Sequence, residues 1–146
     1  MAVFECRTEV HVPPEALFDF ITRPANMKAI SPPEVDMVIV EAPDVIAEGS
    51  RLVFKVQAFG IPQELVHEIV AFDRPNSFRE KMTKGPLPTW IHDYVVEPHG
   101  EGFAALLNRI EFEPPGGMLG MLLTAERILS HLEEGYATRS EALKEA

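Results

Sequence analysis

One cysteine, one tryptophan and two tyrosines are all that this 146-residue chain holds of those types, and it sets only 13 Lys and Arg against 23 Asp and Glu. Each shortage closes off a class of function. A lone Cys6 forms no internal disulfide and no thiolate metal cluster. A net charge of −10 lacks the basic footprint that phosphate binding needs, which excludes nucleic acid and disfavours an anionic membrane surface. No apolar run approaches the roughly 20 residues of a bilayer span. The opening MAVFECRTEV carries charges where a signal peptide has its hydrophobic region. The expectation is a soluble, cytoplasmic monomer or homodimer with no integral membrane segment. His11, His67, His92, His99 and His131 have no metal-ligand spacing, and GPLP and PPGGMLG lack the lysine and the setting of a phosphate loop. The serines fall at turns or on a helix surface and supply no nucleophilic triad, and no cofactor is expected.

What is present reads as one globular domain over residues 1–146, 46% apolar. Phe4, Cys6, Thr8, Val10 and Val12 alternate with charged residues, which predicts a strand with one buried side. Pro13 and Pro14 end it and open a short helix to Ile21, and Pro24 starts another. Six strands follow: Glu34 to Ala42, Gly49 to Ala58, Gln63 to Phe72, Ser77 to Thr83, Trp90 to Glu97 and Phe103 to Glu113. Gly60-Ile61-Pro62 and Gly100-Glu101-Gly102 are read as turns. After Pro114-Pro115-Gly116-Gly117 the last 29 residues hold no proline. Met121, Leu122, Ala125, Ile128, Leu129, Leu132, Tyr136 and Leu143 recur near a 3.6 period, which predicts one long amphipathic helix. Arg139 falls on its charged side in this reading. The order β-α-α-β6-α describes an α+β fold, a curved antiparallel sheet of about seven strands around a C-terminal helix, with room for a cavity between them.

The segments HVPPEALFDFITRPANMKAISPP and IPQELVHEIVAFDRPNSFREKMTKGPLPTWIHDYVVEP together resemble the START-like, Bet v 1-like superfamily (SRPBCC, polyketide cyclase/dehydrase-like). The second is similar to a bacterial branch with a Gly-Pro loop, a Trp and then His-x-His on a strand. The resemblance implies a helix-grip fold around a hydrophobic cavity and a small apolar or amphipathic ligand. Tyr94 and Asn108 stand where relatives often have a second His and an Asp, so a basic role does not carry over to those positions.

Pairing the last strands about the Gly100 turn and the Gly85 loop sets His92 opposite Asn108, Tyr94 opposite Leu106, Met82 opposite His92 and Glu80 opposite Tyr94. One face then collects Phe78, Glu80, Met82, Trp90, His92, Tyr94, Val96, Leu106, Asn108, Ile110 and Phe112, and is expected to be concave. Phe54 and His67 join it in one register; in the other, Glu64, Val66, Glu68 and Val70 point inward instead. Met121, Leu122 and Ala125 are candidates to line the cavity from the helix, although packing in the core explains them as well. Three functions fit. The first is binding of a lipid, quinone, aromatic or polyketide-like molecule. The second is a cyclase or dehydratase using His92 as acid–base, with Tyr94, Asn108 and Glu80 assisting. The third is an adaptor, docking through Val66, Val70 and Phe72.

Overall fold

Residues 1–58 and 61–146 are described in a computed structural model of the chain. The alternating N-terminal run forms β1 (Ala2–Val10), with Phe4, Thr8 and Val10 buried and Glu5, Arg7 and Glu9 exposed. Val12, expected on the buried side, lies past the end of the strand and is exposed. Pro14 opens α1 (Pro14–Ile21), which buries Leu17, Phe18 and Ile21, and Pro24 opens α2 (Pro24–Ile30). A proline at the first helical position loses no hydrogen bond and presets φ.

The strand expected from Glu34 is shorter than its apolar run. Pro33–Val35 is a turn of 3-10 helix, Asp36 takes a left-handed φ of 47°, and only Val38–Glu41 pairs, as β2. Pro32 and Pro33 have no N–H to give to a ladder, which delays the start of pairing. The long strands are β3 (Arg51–Ala58), β4 (Ile61–Asp73), β5 (Ser77–Lys84), β6 (Thr89–Pro98) and β7 (Ala104–Glu113). Ile61 and Pro62, read as part of a turn, belong to β4, and Gly60 lies outside the described residues. Every pairing is antiparallel, in the order β1-β7-β6-β5-β4-β3-β2.

The expected registers slip by two residues. His92 pairs with Ile110 and Tyr94 with Asn108, while Glu80 pairs with His92 and Phe78 with Tyr94. The last hairpin turns about Glu101, because Gly100 and Gly102 both adopt positive φ (68° and 80°) and His99 N–H donates to the Phe103 carbonyl at 3.0 Å. A slip of two keeps every side chain on its face. Phe78, Glu80, His92, Tyr94, Val96, Leu106, Asn108, Ile110 and Phe112 are accordingly all buried. On β4, Leu52 pairs with His67 and Phe54 with Leu65, so His67 points inward. A bulge between Ile69 and Ala71 then reverses the alternation, and Phe72 packs against Phe18 and Phe78. Val66 is buried too, and of the outer patch expected for an adaptor only Val70 is exposed.

The C-terminal helix is also broken. α3 (Gly117–Leu122) stops at Leu123, and α4 (Ala125–Glu145) begins after Thr124, whose hydroxyl accepts from the Arg127 N–H at 3.3 Å. This cap satisfies a donor that a continuous helix would have satisfied internally. The break turns Leu123 inward and leaves Met118, Met121 and Leu122 in solvent, all three between 60% and 85% exposed. α4 lies against β1, where Thr8 and Ser140 share a 2.8 Å hydrogen bond and the Phe4 and Tyr136 rings meet at 5.2 Å.

Candidate functional site

Between the concave face of the sheet and α4 lies a cavity of about 280 Å³. Its wall is mainly apolar: Met27 from α2, Ile39 from β2, Phe54 and Val56 from β3, Ile69 from β4, and Leu132 from α4. Into this wall the strands bring His67, Glu80, His92 and Tyr94, all buried, and α4 brings His131, Tyr136 and Arg139. A hollow of about 770 Å³ crosses the outer face past Arg7, Arg79, Asp93 and Arg109. There Arg79 holds Asp93 through two hydrogen bonds of 2.7 and 3.1 Å, so its charges are largely spent on each other.

Glu80 is the centre of the inner polar group. Its Oε1 lies 2.7 Å from His67 Nδ1, and its Oε2 accepts from the Tyr94 hydroxyl at 3.3 Å. Burial opposes ionisation of this carboxyl. The charge that the neighbouring His67 carries once protonated and its hydrogen bond, with smaller help from a protonated His92 and from Arg139, outweigh burial and hold it down at about 2. Tyr94 is stacked between His92, 3.8 Å away, and Phe78, 4.3 Å away. Burial and the Glu80 charge push its hydroxyl well above the usual range. His92 is pushed down to about 4, chiefly by burial. It is therefore neutral at neutral pH, and its Nε2 is engaged by Asn108 Oδ1 at 2.8 Å. On the helix, Arg139 donates to the Tyr136 hydroxyl at 3.1 Å, with its guanidinium 5.1 Å from the ring centroid. Burial pushes Tyr136 up to about 12.

Residues 1–138 match the protein family described as polyketide cyclase / dehydrase and lipid transport. The chain belongs to this family. No curated protein matches it in sequence. Among solved structures, TTHA0849 from Thermus thermophilus is 17% identical, with a TM-score of 0.76 over 99% of this chain and 95% of that one. Ginseng major latex-like protein 151 from Panax ginseng is 15% identical, with a TM-score of 0.70 over 98% and 95%. Ara h 8.0201 is 17% identical, with a TM-score of 0.65 over 98% and 95%. At such identities the likeness establishes the fold, the helix grip of the Bet v 1-like proteins.

In this member of the polyketide cyclase / dehydrase and lipid transport family, the candidates Phe54, His67, Glu80, Met82, Trp90, His92 and Tyr94 line the cavity. Asn108 and Leu106 lie behind its wall. Asn108 reaches the cavity only through His92, and Leu106 is core. Met121 and Leu122 do not line it, because the break before α4 turns them outward, and Ala125 packs beside Leu123 and Ile128 without lining it. Sequence reasoning also misplaced Arg139, which lines the cavity. It sits three positions after Tyr136 and four before Leu143, on the same helical stripe, so its spacing marked it as inward although its charge suggested otherwise.

Proposed function

We propose that the chain binds one small amphipathic molecule in this cavity, with its apolar body against Phe54, Ile69 and Leu132 and its polar end towards Glu80, His67 and Arg139. The observation that carries this reading is an internal space with apolar walls on which a few buried polar groups converge. That is the composition of a small-molecule site, in which apolar contact supplies affinity and the polar groups set orientation. At about 280 Å³ the space is at the small end for ligand pockets, roughly 300–1,000 Å³. A single ring system or one short chain fits it better than a two-tailed lipid. Family membership supports the same class of ligand. A cyclase or dehydratase step with His92 as its base is the weaker reading, since burial holds the ring at about 4, which makes it a poor proton acceptor, and its Nε2 is already bonded to Asn108.

Native mass spectrometry of protein purified from its own host, followed by organic extraction, tests the proposal. A stoichiometric apolar mass is expected in the wild type, and its loss in Val56→Phe and Leu132→Phe, which fill the space. Trp90, the single tryptophan, lines the cavity, so its emission should shift when an apolar probe is added. A ligand-free mass together with an unresponsive Trp90 would sink the reading.

A further inference from the structure

His67 has one ring nitrogen without a hydrogen-bond partner among the described residues. Its Nδ1 faces a Glu80 carboxylate, which can only accept, so the hydrogen sits on Nδ1. Nε2 is then left buried, with no hydrogen-bond partner among the described residues, on a ring that is 5% exposed and lines the cavity. The ring is also held in place, since Phe54 meets it edge-on at 4.8 Å and 73°. A buried polar atom with nothing to bond is rare enough to require an explanation, and an orientation imposed from the far side of an imidazole is what readies the near side to take a proton.

We propose that His67 Nε2 accepts the hydroxyl hydrogen of the ligand, and that the cavity selects apolar molecules with an acidic O–H, a phenol or an enol, and holds them as the oxyanion. This rests on the binding reading above and narrows it to a ligand class. In the transfer the O–H bond breaks, both its electrons stay on oxygen, and the proton forms N–H on Nε2. The new imidazolium lies against Glu80, and the oxyanion shares the cavity with the Arg139 guanidinium. Glu80 and Arg139 already balance in this space. A neutral phenol that ionises after entry leaves the interior charge unchanged, whereas a carboxylate arriving as an anion would add an uncompensated charge. The titratable or charged groups facing the same space are Glu80, His92, Tyr94, His131, Tyr136 and Arg139, and Glu41 of β2, which is exposed and held by Arg51 at 2.6 Å. Of these, Glu80 bonds His67 directly.

Umbelliferone and its parent coumarin, which lacks the hydroxyl, provide the test, because the dye's anion absorbs at a longer wavelength than its neutral form. Spectra are recorded at a pH where the free dye is mostly neutral. Wild-type protein should bind umbelliferone as the anion and roughly tenfold or more tightly than coumarin. His67→Gln, with His67→Asn as a second variant, should bind the two compounds alike and lose the anion band, the urea unfolding midpoint serving as the check on folding. A wild type that holds umbelliferone in its neutral form, or a variant that retains the anion band, overturns the proposal and leaves the binding reading standing. Failure of both compounds to enter the wild type overturns the two together.

Discussion

The sheet carries two buried histidines on the same face, and the two halves of the sheet treat them differently. The β6–β7 ladder runs from Thr89 to Pro98 without a shift, and within it His92 and Asn108 meet at 2.8 Å. The β4–β5 ladder slips twice, between Val66 and His67 and between Ile69 and Ala71, and there His67 finds Glu80 with one nitrogen and nothing with the other among the described residues. A regular ladder brings cross-strand partners into reach of each other, so polar groups within it pair off. A bulge bends the strand and re-aims its side chains. Both halves line the cavity, but the regular half pairs off its polar groups there, and the bulged half leaves His67 Nε2 without a partner among the described residues.

Four changes would break or sharpen this contrast. Glu80→Ala attacks the bulged half at its centre, leaving the His67 N–H and the Tyr94 hydroxyl without their acceptor. Removing one member of such a buried group should cost about 3–5 kcal/mol in urea unfolding. Acid should next weaken the regular half. His92 is held at about 4 in the fold against an ordinary 6.5, so as pH falls the unfolded chain takes the proton first. Stability from this group is complete above pH 6.5 and is lost between 6.5 and about 4, a loss of roughly 3 kcal/mol. Glu80, lowered from 4.5 to about 2, contributes stability that is present above pH 4.5 and lost as pH falls through its folded value. A His92→Phe, Asn108→Val double variant should erase the upper limb and keep the lower one.

Asn108→Val alone should cost about 1–3 kcal/mol by stranding the His92 nitrogen, and adding His92→Phe should recover most of that loss. If the single and double variants were equally destabilised, packing rather than the hydrogen bond would be what holds this half together. The smallest effect is expected for Met121→Ser with Leu122→Ser, two exposed side chains outside the cavity. Stability should stay within about 0.5 kcal/mol of wild type, and ligand affinity should not change.

The order of elements was legible because each depends on local pattern: alternation in β1, the proline pair that opens α1 and the single Pro24 that opens α2, and the apolar stripe of α4. So was the concave face, since parity survives a register error of two. Local pattern could not show that a bulge turns Phe72 inward, or that Thr124 interrupts the last helix and expels Met121 and Leu122. Nor could it decide which of His67 and His92 would keep a nitrogen without a partner among the described residues, since both are histidines that the fold buries on the same face.

By itself the sequence determined the architecture and most of the inventory, a seven-strand grip around a helix with Glu80, His92 and Tyr94 on its inner face, while it left two registers open for His67. Those follow from side-chain periodicity, which repeats within a few residues and needs no knowledge of what lies across the sheet. The tertiary structure alone decided the pairings, Glu80 with His67, Asn108 with His92, and Arg139 with Tyr136 in the cavity. A hydrogen bond depends on angstrom-scale positions set by bulges, turn centres and a helix break, and those arise only when distant segments settle against one another.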